Sequence, residues 1–207
     1  MPKILSSVNF QKESKKVSPN YLACSFNKNT TLSSNTKLVI VGTLTPPDTA
    51  YFYCSFFNRI YGYIDEALKQ LGRNDPKTLK ELKIGLSRVQ TKRIKIDLLS
   101  KKEIDERVTE IKKILDKYGI AFLDVMDKAI RKKPTSRDND IRFFILAYDD
   151  FKNINPDTVI ITNSKLAFDC CKSLNVKPQP LSQRLNGKEK WVKAIVNAIK
   201  PDFRISS

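Results

Sequence analysis

Residues 38–71 constrain the fold more than any other stretch, because their hydrophobic period changes once and at a defined point. Leu38-Val39-Ile40-Val41 is a continuous apolar run that stops at Gly42. Such a run reads as a short strand buried on both faces, as in a parallel sheet. From Ile60 the apolar positions recur at Ile60, Ile64, Ala67, Leu68 and Leu71, which is helical spacing. Between the two periods lie a glycine turn, two prolines, five aromatics (Tyr51, Phe52, Tyr53, Phe56, Phe57) and Asn58. A strand–loop–helix in this order sets the loop beside the strand's carboxyl end, where open α/β sheets bind ligands.

The alternation continues. Ile104, Val108, Ile111 and Leu115 mark a helix ending before Gly119, and Ile120-Ala121-Phe122-Leu123 a second strand ending at Asp124-Val125. A polar, basic stretch follows over 131–140, then an expected helix over 141–147. Residues 158–162 read as a third strand, followed by a helix carrying Leu166, Ala167, Cys170 and Leu174. A last helix carries Trp191, Ala194, Ile195, Ala198 and Ile199. Strands alternating with helices predict a parallel sheet with helices on both faces. Residues 1–36, rich in Ser, Asn and Lys, read as an irregular polar arm. Residues 72–102 form a basic insertion in which Ile94, Ile96 and Leu98 fit a short extended piece. The 207 residues can bury roughly 70% of their unfolded surface in one core. The expectation is a single three-layer α/β domain over 37–207, built on a central, mainly parallel four-stranded sheet flanked by helices.

Composition then removes whole classes of chemistry. The chain has no histidine, which excludes Ser-His and Cys-His nucleophile systems and His-ligated zinc. Cys24, Cys54, Cys170 and Cys171 show no C-x-x-C spacing, so neither a zinc nor an iron–sulfur site is expected. Reduced thiols imply a cytoplasmic protein. No apolar run reaches the ~20 residues of a membrane span. Thirty-eight Lys and Arg against 22 Asp and Glu give a net charge of +16, a field that favours polyanions and nucleic acid first among them.

Three segments carry a family resemblance. Gly42, Pro46, the run Phe52-Tyr53-Cys54-Ser55 and then Asn58-Arg59-Ile60-Tyr61 resemble the first motif of the uracil-DNA glycosylase superfamily, a strand ending in G-x-x-P-G followed by F-Y-Y-G-x-P-x-N-R-F-W. Gly119-Ile120-Ala121-Phe122-Leu123-Asp124-Val125 with Ser136-Arg137-Asp138-Asn139-Asp140-Ile141 is similar to the family's G-I-x-x-x-D-V and S-x-D-x-x-I. Pro180-Leu181-Ser182-Gln183-Arg184-Leu185-Asn186-Gly187, ahead of Lys188-Glu189-Lys190-Trp191, looks like its second motif, P-S-x-S-P-x-N before a helix with E-K…W. The look is nearest the mismatch-specific and hypoxanthine-type branch.

The resemblance implies a DNA glycosylase that extrudes a nucleotide from the stack and hydrolyses its glycosidic bond without metal or other cofactor. On this reading Asn58 and Thr45 are catalytic. Gly42, Thr43, Leu44, Pro46, Tyr53 and Asp124 line the base pocket, with Tyr53 stacking on the base. Arg59, Ser182, Gln183, Arg184 and Asn186 contact DNA. Chemistry alone gives these residues second readings: Asn58 is a good helix cap, Asn186 and Glu189 fit a capping pair, and some of the aromatics belong to the core. One departure matters. The family carries Asn or Asp between the glycine and the proline, whereas this chain has Thr43-Leu44-Thr45; Asp48 and Asp124 are the nearby carboxylates. The implied protein is a monomeric base-excision enzyme (nucleoid-associated in a bacterium) acting on double- or single-stranded DNA with uracil or hypoxanthine. Its rivals are a non-catalytic nucleic-acid-binding protein on the same fold, and an unrelated doubly wound enzyme acting on nucleotides.

Overall fold

The computed structural model describes residues 2–25, 27, 30, 32–44, 51–52, 58–73, 75–84, 99–133, 138–181 and 187–200. Its centre is a four-stranded parallel sheet built from β3 (Leu38–Gly42), β4 (Ile120–Asp124), β7 (Val159–Thr162) and β8 (Gln179–Pro180), in the spatial order β4-β3-β7-β8. Leu38 pairs with Ile120 and Val159, and Gly42 with Asp124, so the strands end together at one edge. Every residue of β3 and β4 is buried, which is why both read as unbroken apolar runs.

Alternation along the strands divides two cores. Leu38, Ile40, Phe122 and Ile161 face a layer of three helices, α2 (Ile60–Gln70), α3 (Lys101–Lys117) and α6 (Gly187–Ile199). Tyr61, Ile64, Ile111, Leu115 and Trp191 fill that side, and burying an aliphatic side chain of this size stabilises by about 1.5–3 kcal/mol. Val39, Val41, Ala121 and Leu123 face the other way, onto Ala167, Cys170 and Cys171 of α5 (Lys165–Ser173) and onto a second sheet. Local signals set the helix ends. Ser100 and Glu103 form a reciprocal capping box at α3, and Gly119 ends it in the left-handed region at φ 67°, as a C-terminal glycine does.

The second sheet corrects two expectations. It orders β1 (Lys3–Ile4), β6 (Ile141–Leu146), β5 (Met126–Arg131) and β2 (Leu22–Cys24) as β1-β6-β5-β2. The stretch 141–147, expected as a helix, is thus mostly strand, and the short helix α4 (Tyr148–Phe151) begins only after it. Ile141, Phe144 and Leu146 are buried while Arg142 is exposed, and antiparallel pairing with β5 shifts register at Ile130/Arg131, which blurs a clean period of two. The expected irregular arm also carries structure: β1 and β2 pair with β6 and β5, and α1 (Ser7–Ser14) is capped by Ser6. Strands of two or three residues are too short to show periodicity; their partners in the sheet define them. Only Val125 separates β4 from β5, so one chain segment crosses from the parallel sheet into the second sheet. Among the described residues, no helix is long and apolar enough to cross a membrane.

Candidate functional site

The strand order creates a site before any side chain is considered. From β3 the chain moves through α2 and α3 to β4 on one side, and later enters β7 on the other side of β3. The connection from β7 to β8 runs through α5 on the opposite face. The carboxyl ends of β3 and β7 therefore part at a topological switch point, where such sheets bind ligands.

Thr43 and Ser164 meet across this point. Thr43 follows β3, Ser164 caps α5 just after β7, and their hydroxyl oxygens are 2.9 Å apart. Thr43 Oγ1 also donates to Asp138 Oδ2 at 2.9 Å, and Ser164 Oγ accepts the Ala167 N–H at 3.0 Å. Each hydroxyl has one proton. Thr43 spends its proton on the carboxylate, so Ser164 donates to Thr43. The chain of bonds runs from the α5 N-terminus through Ser164 and Thr43 to Asp138.

Charged groups gather around it. Arg131, at the end of β5, is buried, and that burial pushes its guanidinium below the ordinary value, while Asp138, Asp140 and Asp124 pull it back. Asp124 is 1% exposed at the end of β4. Its backbone is held by Asn27, whose Oδ1 accepts the Asp124 N–H at 2.7 Å and whose Nδ2 donates to the Asp124 carbonyl at 2.8 Å. Among the described residues, the Oγ1 of Thr162, wholly buried at the end of β7, has no hydrogen-bond partner. Burial, with Asp169 and Asp138 nearby, pushes the Cys170 thiol up to about 12. Thiolate chemistry at neutral pH is therefore excluded at that position.

Asn58 and Arg59 lead into α2. Asn58 Oδ1 accepts the Ile60 N–H at 2.9 Å, so its amide caps the start of the helix without using its Nδ2 protons. The Asn58 carbonyl accepts from Lys83 Nζ. Lys83 is 7% exposed; burial and the neighbouring Lys80 lower its ammonium pKa, against the pull of Asp65. Arg107 of α3 donates to the Lys83 carbonyl at 3.0 Å and so fastens the segment from behind. Two concavities flank these parts. A groove of about 820 Å³ runs between α5 and β6, with Asp138, Lys132, Arg142 and Lys165 on its walls. Another of about 490 Å³ lies along α2, with Arg59, Lys69, Lys77, Lys80 and Lys188.

Of the residues expected from sequence, Gly42, Thr43 and Asp124 stand together at the carboxyl edge. Leu44 is buried in the apolar cluster with Val41 and Leu123. Asn58 and Arg59 stand at the start of α2. Thr45, Pro46, Asp48, Tyr53, Ser182, Gln183, Arg184 and Asn186 lie outside the described residues. Sequence reasoning did not single out Asp138, Ser164, Arg131 or Asn27 as site residues. Two signals pointed that way: a serine between a buried strand and a helical period (Ser164), and an arginine directly after the apolar pair Ala129-Ile130 (Arg131). Among the described residues, no group of three His, Cys, Asp or Glu side chains is arranged to hold a metal ion.

No protein-family model matches the chain, and no curated protein matches it. Among solved structures, it is similar to a solution NMR structure of a candidate uracil DNA glycosylase from Methanosarcina acetivorans. The two share 17% identity over 81% of this chain and 93% of that one, with a TM-score of 0.40.

Proposed function

We propose that this protein is a DNA glycosylase of the uracil-DNA glycosylase type, which hydrolyses the bond between deoxyribose and an extruded uracil or hypoxanthine. The observation that carries the reading is convergence. The strand ends of the first two resembling segments, Gly42-Thr43 and Asp124, pair side by side at one edge of one parallel sheet. Asp138, from the second segment, bonds Thr43 there, and the third segment enters at Pro180-Leu181, where the Leu181 N–H bonds the Thr162 carbonyl at 2.9 Å. Segments far apart in sequence thus meet at the carboxyl edge beside the switch point, where open α/β sheets bind ligands.

The rest of the molecule suits the work. A net charge of +16 attracts the phosphate backbone, and Arg59 sits exposed beside Asn58 at the start of α2. Asn58 positions the reacting nucleotide through its Nδ2 donors, and Thr45 is the second catalytic residue on this reading. The test is direct. Duplex and single-stranded oligonucleotides carrying uracil, hypoxanthine, xanthine or a thymine mismatch are incubated with the protein, and abasic sites are then cleaved with alkali. Strand breaks that vanish in Asn58→Ala support the reading. Tight binding with no abasic product on any substrate, at high protein and long times, overturns it in favour of a non-catalytic nucleic-acid-binding protein.

A further inference from the structure

We propose that Asp138 holds and deprotonates the attacking water, a carboxylate supplied to the β3 end from the segment between β5 and β6. The assignment rests on the glycosylase reading above. Its own support is geometric. Hydrolysis at a sugar carbon needs a polar group that can fix a water and take its proton. At the switch point, Asp138 is the described carboxylate that bonds the segment leaving β3, through Thr43 Oγ1 at 2.9 Å.

Two other described carboxylates near the strand ends are otherwise placed. Asp124 is 1% exposed and sealed under the edge. Asp150 accepts from Asn27 Nδ2 at 2.6 Å, on the far side of Asp124. Asp138 is half-buried and lies on the wall of the 820 Å³ groove, so water reaches it. Thr43 engages Oδ2, and Oδ1 accepts no hydrogen bond from any described residue. A carboxylate gripped at one oxygen and open at the other is oriented for a single water. The Ser164–Thr43 chain fixes that grip, because Thr43 has no second proton with which to turn elsewhere.

The step balances. The water oxygen bonds to C1′ as the C1′–N bond breaks, with its electron pair staying on the base. Asp138 takes one water proton and gives it up through solvent to the departing base anion, leaving a neutral base, an abasic sugar hydroxyl and Asp138 again a carboxylate. Asp138 is then a catalytic residue beside Asn58, and Thr43 a positioning residue.

The experiment compares wild type, Asp138→Asn, Thr43→Val and the double variant in single-turnover excision of uracil and hypoxanthine. Anisotropy measures DNA affinity on the same samples. Asp138→Asn keeps size and an acceptor for Thr43, and is expected to slow excision by about 100-fold or more while affinity stays within about threefold. Thr43→Val is expected to slow it about tenfold and to add nothing on the Asp138→Asn background. An Asp138→Asn variant that excises within about threefold of wild type overturns the assignment and leaves the glycosylase reading intact. So does a Thr43→Val variant with an unchanged rate, which serves as the test if Asp138→Asn fails to fold. Wild type without abasic product on any substrate overturns the glycosylase reading and this assignment with it.

Discussion

Asn27 and Asp124 are joined by a reciprocal pair of hydrogen bonds, in which the Asn27 amide takes the place of a neighbouring strand for the last residue of β4. Both residues are buried, so removing the amide strands a backbone N–H and a carbonyl away from water. Each orphaned group costs about 1–3 kcal/mol. Asn27→Ala is therefore expected to destabilise by about 2–4 kcal/mol, read as a lower urea midpoint with an unchanged slope. Asn27→Asp keeps the acceptor for the Asp124 N–H but faces a carboxylate to a carbonyl and to Asp150, and is expected to destabilise as well. A midpoint that does not move in either variant refutes this role.

Asn58 has a capping duty as well as its proposed catalytic one, and the two can be separated. Its Oδ1 holds the Ile60 N–H, so Asn58→Ala is expected to cost about 1 kcal/mol as a lost cap. Asn58→Asp keeps the cap and removes the Nδ2 donors. If Asn58 acts on the nucleotide, Asn58→Asp loses excision as fully as Asn58→Ala while its urea midpoint stays near wild type. Activity retained in Asn58→Asp identifies the residue as a cap alone.

The strands and helices that pack against the parallel sheet were legible because each repeats a burial pattern over several residues. β3, read as ending at Gly42, does so, and the apolar positions Ile60, Ile64, Ala67 and Leu68 of α2 are all buried. What escaped was defined by partners far along the chain. β1 and β2 are too short to carry a period and exist through pairing with β6 and β5. Ile141-Arg142-Phe143-Phe144-Ile145-Leu146 spaces its apolar residues ambiguously, and only its pairing with β5 makes it a strand. The same holds at the site. Gly42 and Asp124 were visible as strand ends, whereas the Thr43–Asp138 and Thr43–Ser164 contacts join residues 95 and 121 positions apart, which no local pattern encodes.

The thiols of Cys170 and Cys171 give stability a signed dependence on alkaline pH. Burial pushes both up to about 12, from the ordinary thiol value of 9.0. The folded state therefore holds these protons more tightly than the unfolded chain. Their contribution is complete below pH about 9 and is lost as pH rises from there towards 12. Urea midpoints are expected to fall across that window, less steeply in Cys170→Ala. Site-resolved alkylation at neutral pH is expected to modify exposed Cys24 and to spare Cys170 and Cys171 until the protein unfolds. Rapid labelling of Cys170 in the native protein contradicts the packing of α5 described above.

Salt dependence locates the phosphate contacts. Lys69, Lys77 and Lys80 line the groove along α2 with Arg59 at its upper end, and none is in an ion pair among the described residues. Each phosphate neutralised contributes about 0.9 to the slope of log affinity against log salt on duplex DNA. Replacing the three lysines with alanine is expected to lower that slope by about 2–3 and to weaken binding for every sequence alike. An unchanged slope moves the contacts to the other groove, where Lys132, Arg142 and Lys165 are the next to replace.

Gly119 connects the helix layer to the site through backbone alone. Its carbonyl accepts the N–H groups of Lys37 and Leu38 at 2.8 and 3.0 Å, which seats the first residue of β3. At φ +67° it occupies the left-handed region, and a Cβ there would stand 2.4 Å from the Asn35 carbonyl oxygen and 3.3 Å from the Lys37 nitrogen. Gly72 shares the conformation, at φ +69°, but a Cβ on it meets nothing within 4 Å. Alanine at Gly72 is therefore expected to cost only the conformational strain, about 1–2 kcal/mol. Gly119→Ala bears the same strain and in addition must move the chain that enters β3. It is expected to lower the urea midpoint by clearly more than Gly72→Ala, and to slow excision as well, because β3 is the strand that delivers Thr43 to Asp138. Equal losses in the two variants show that the Asn35–Lys37 turn yields freely and that β3 does not depend on Gly119 for its position.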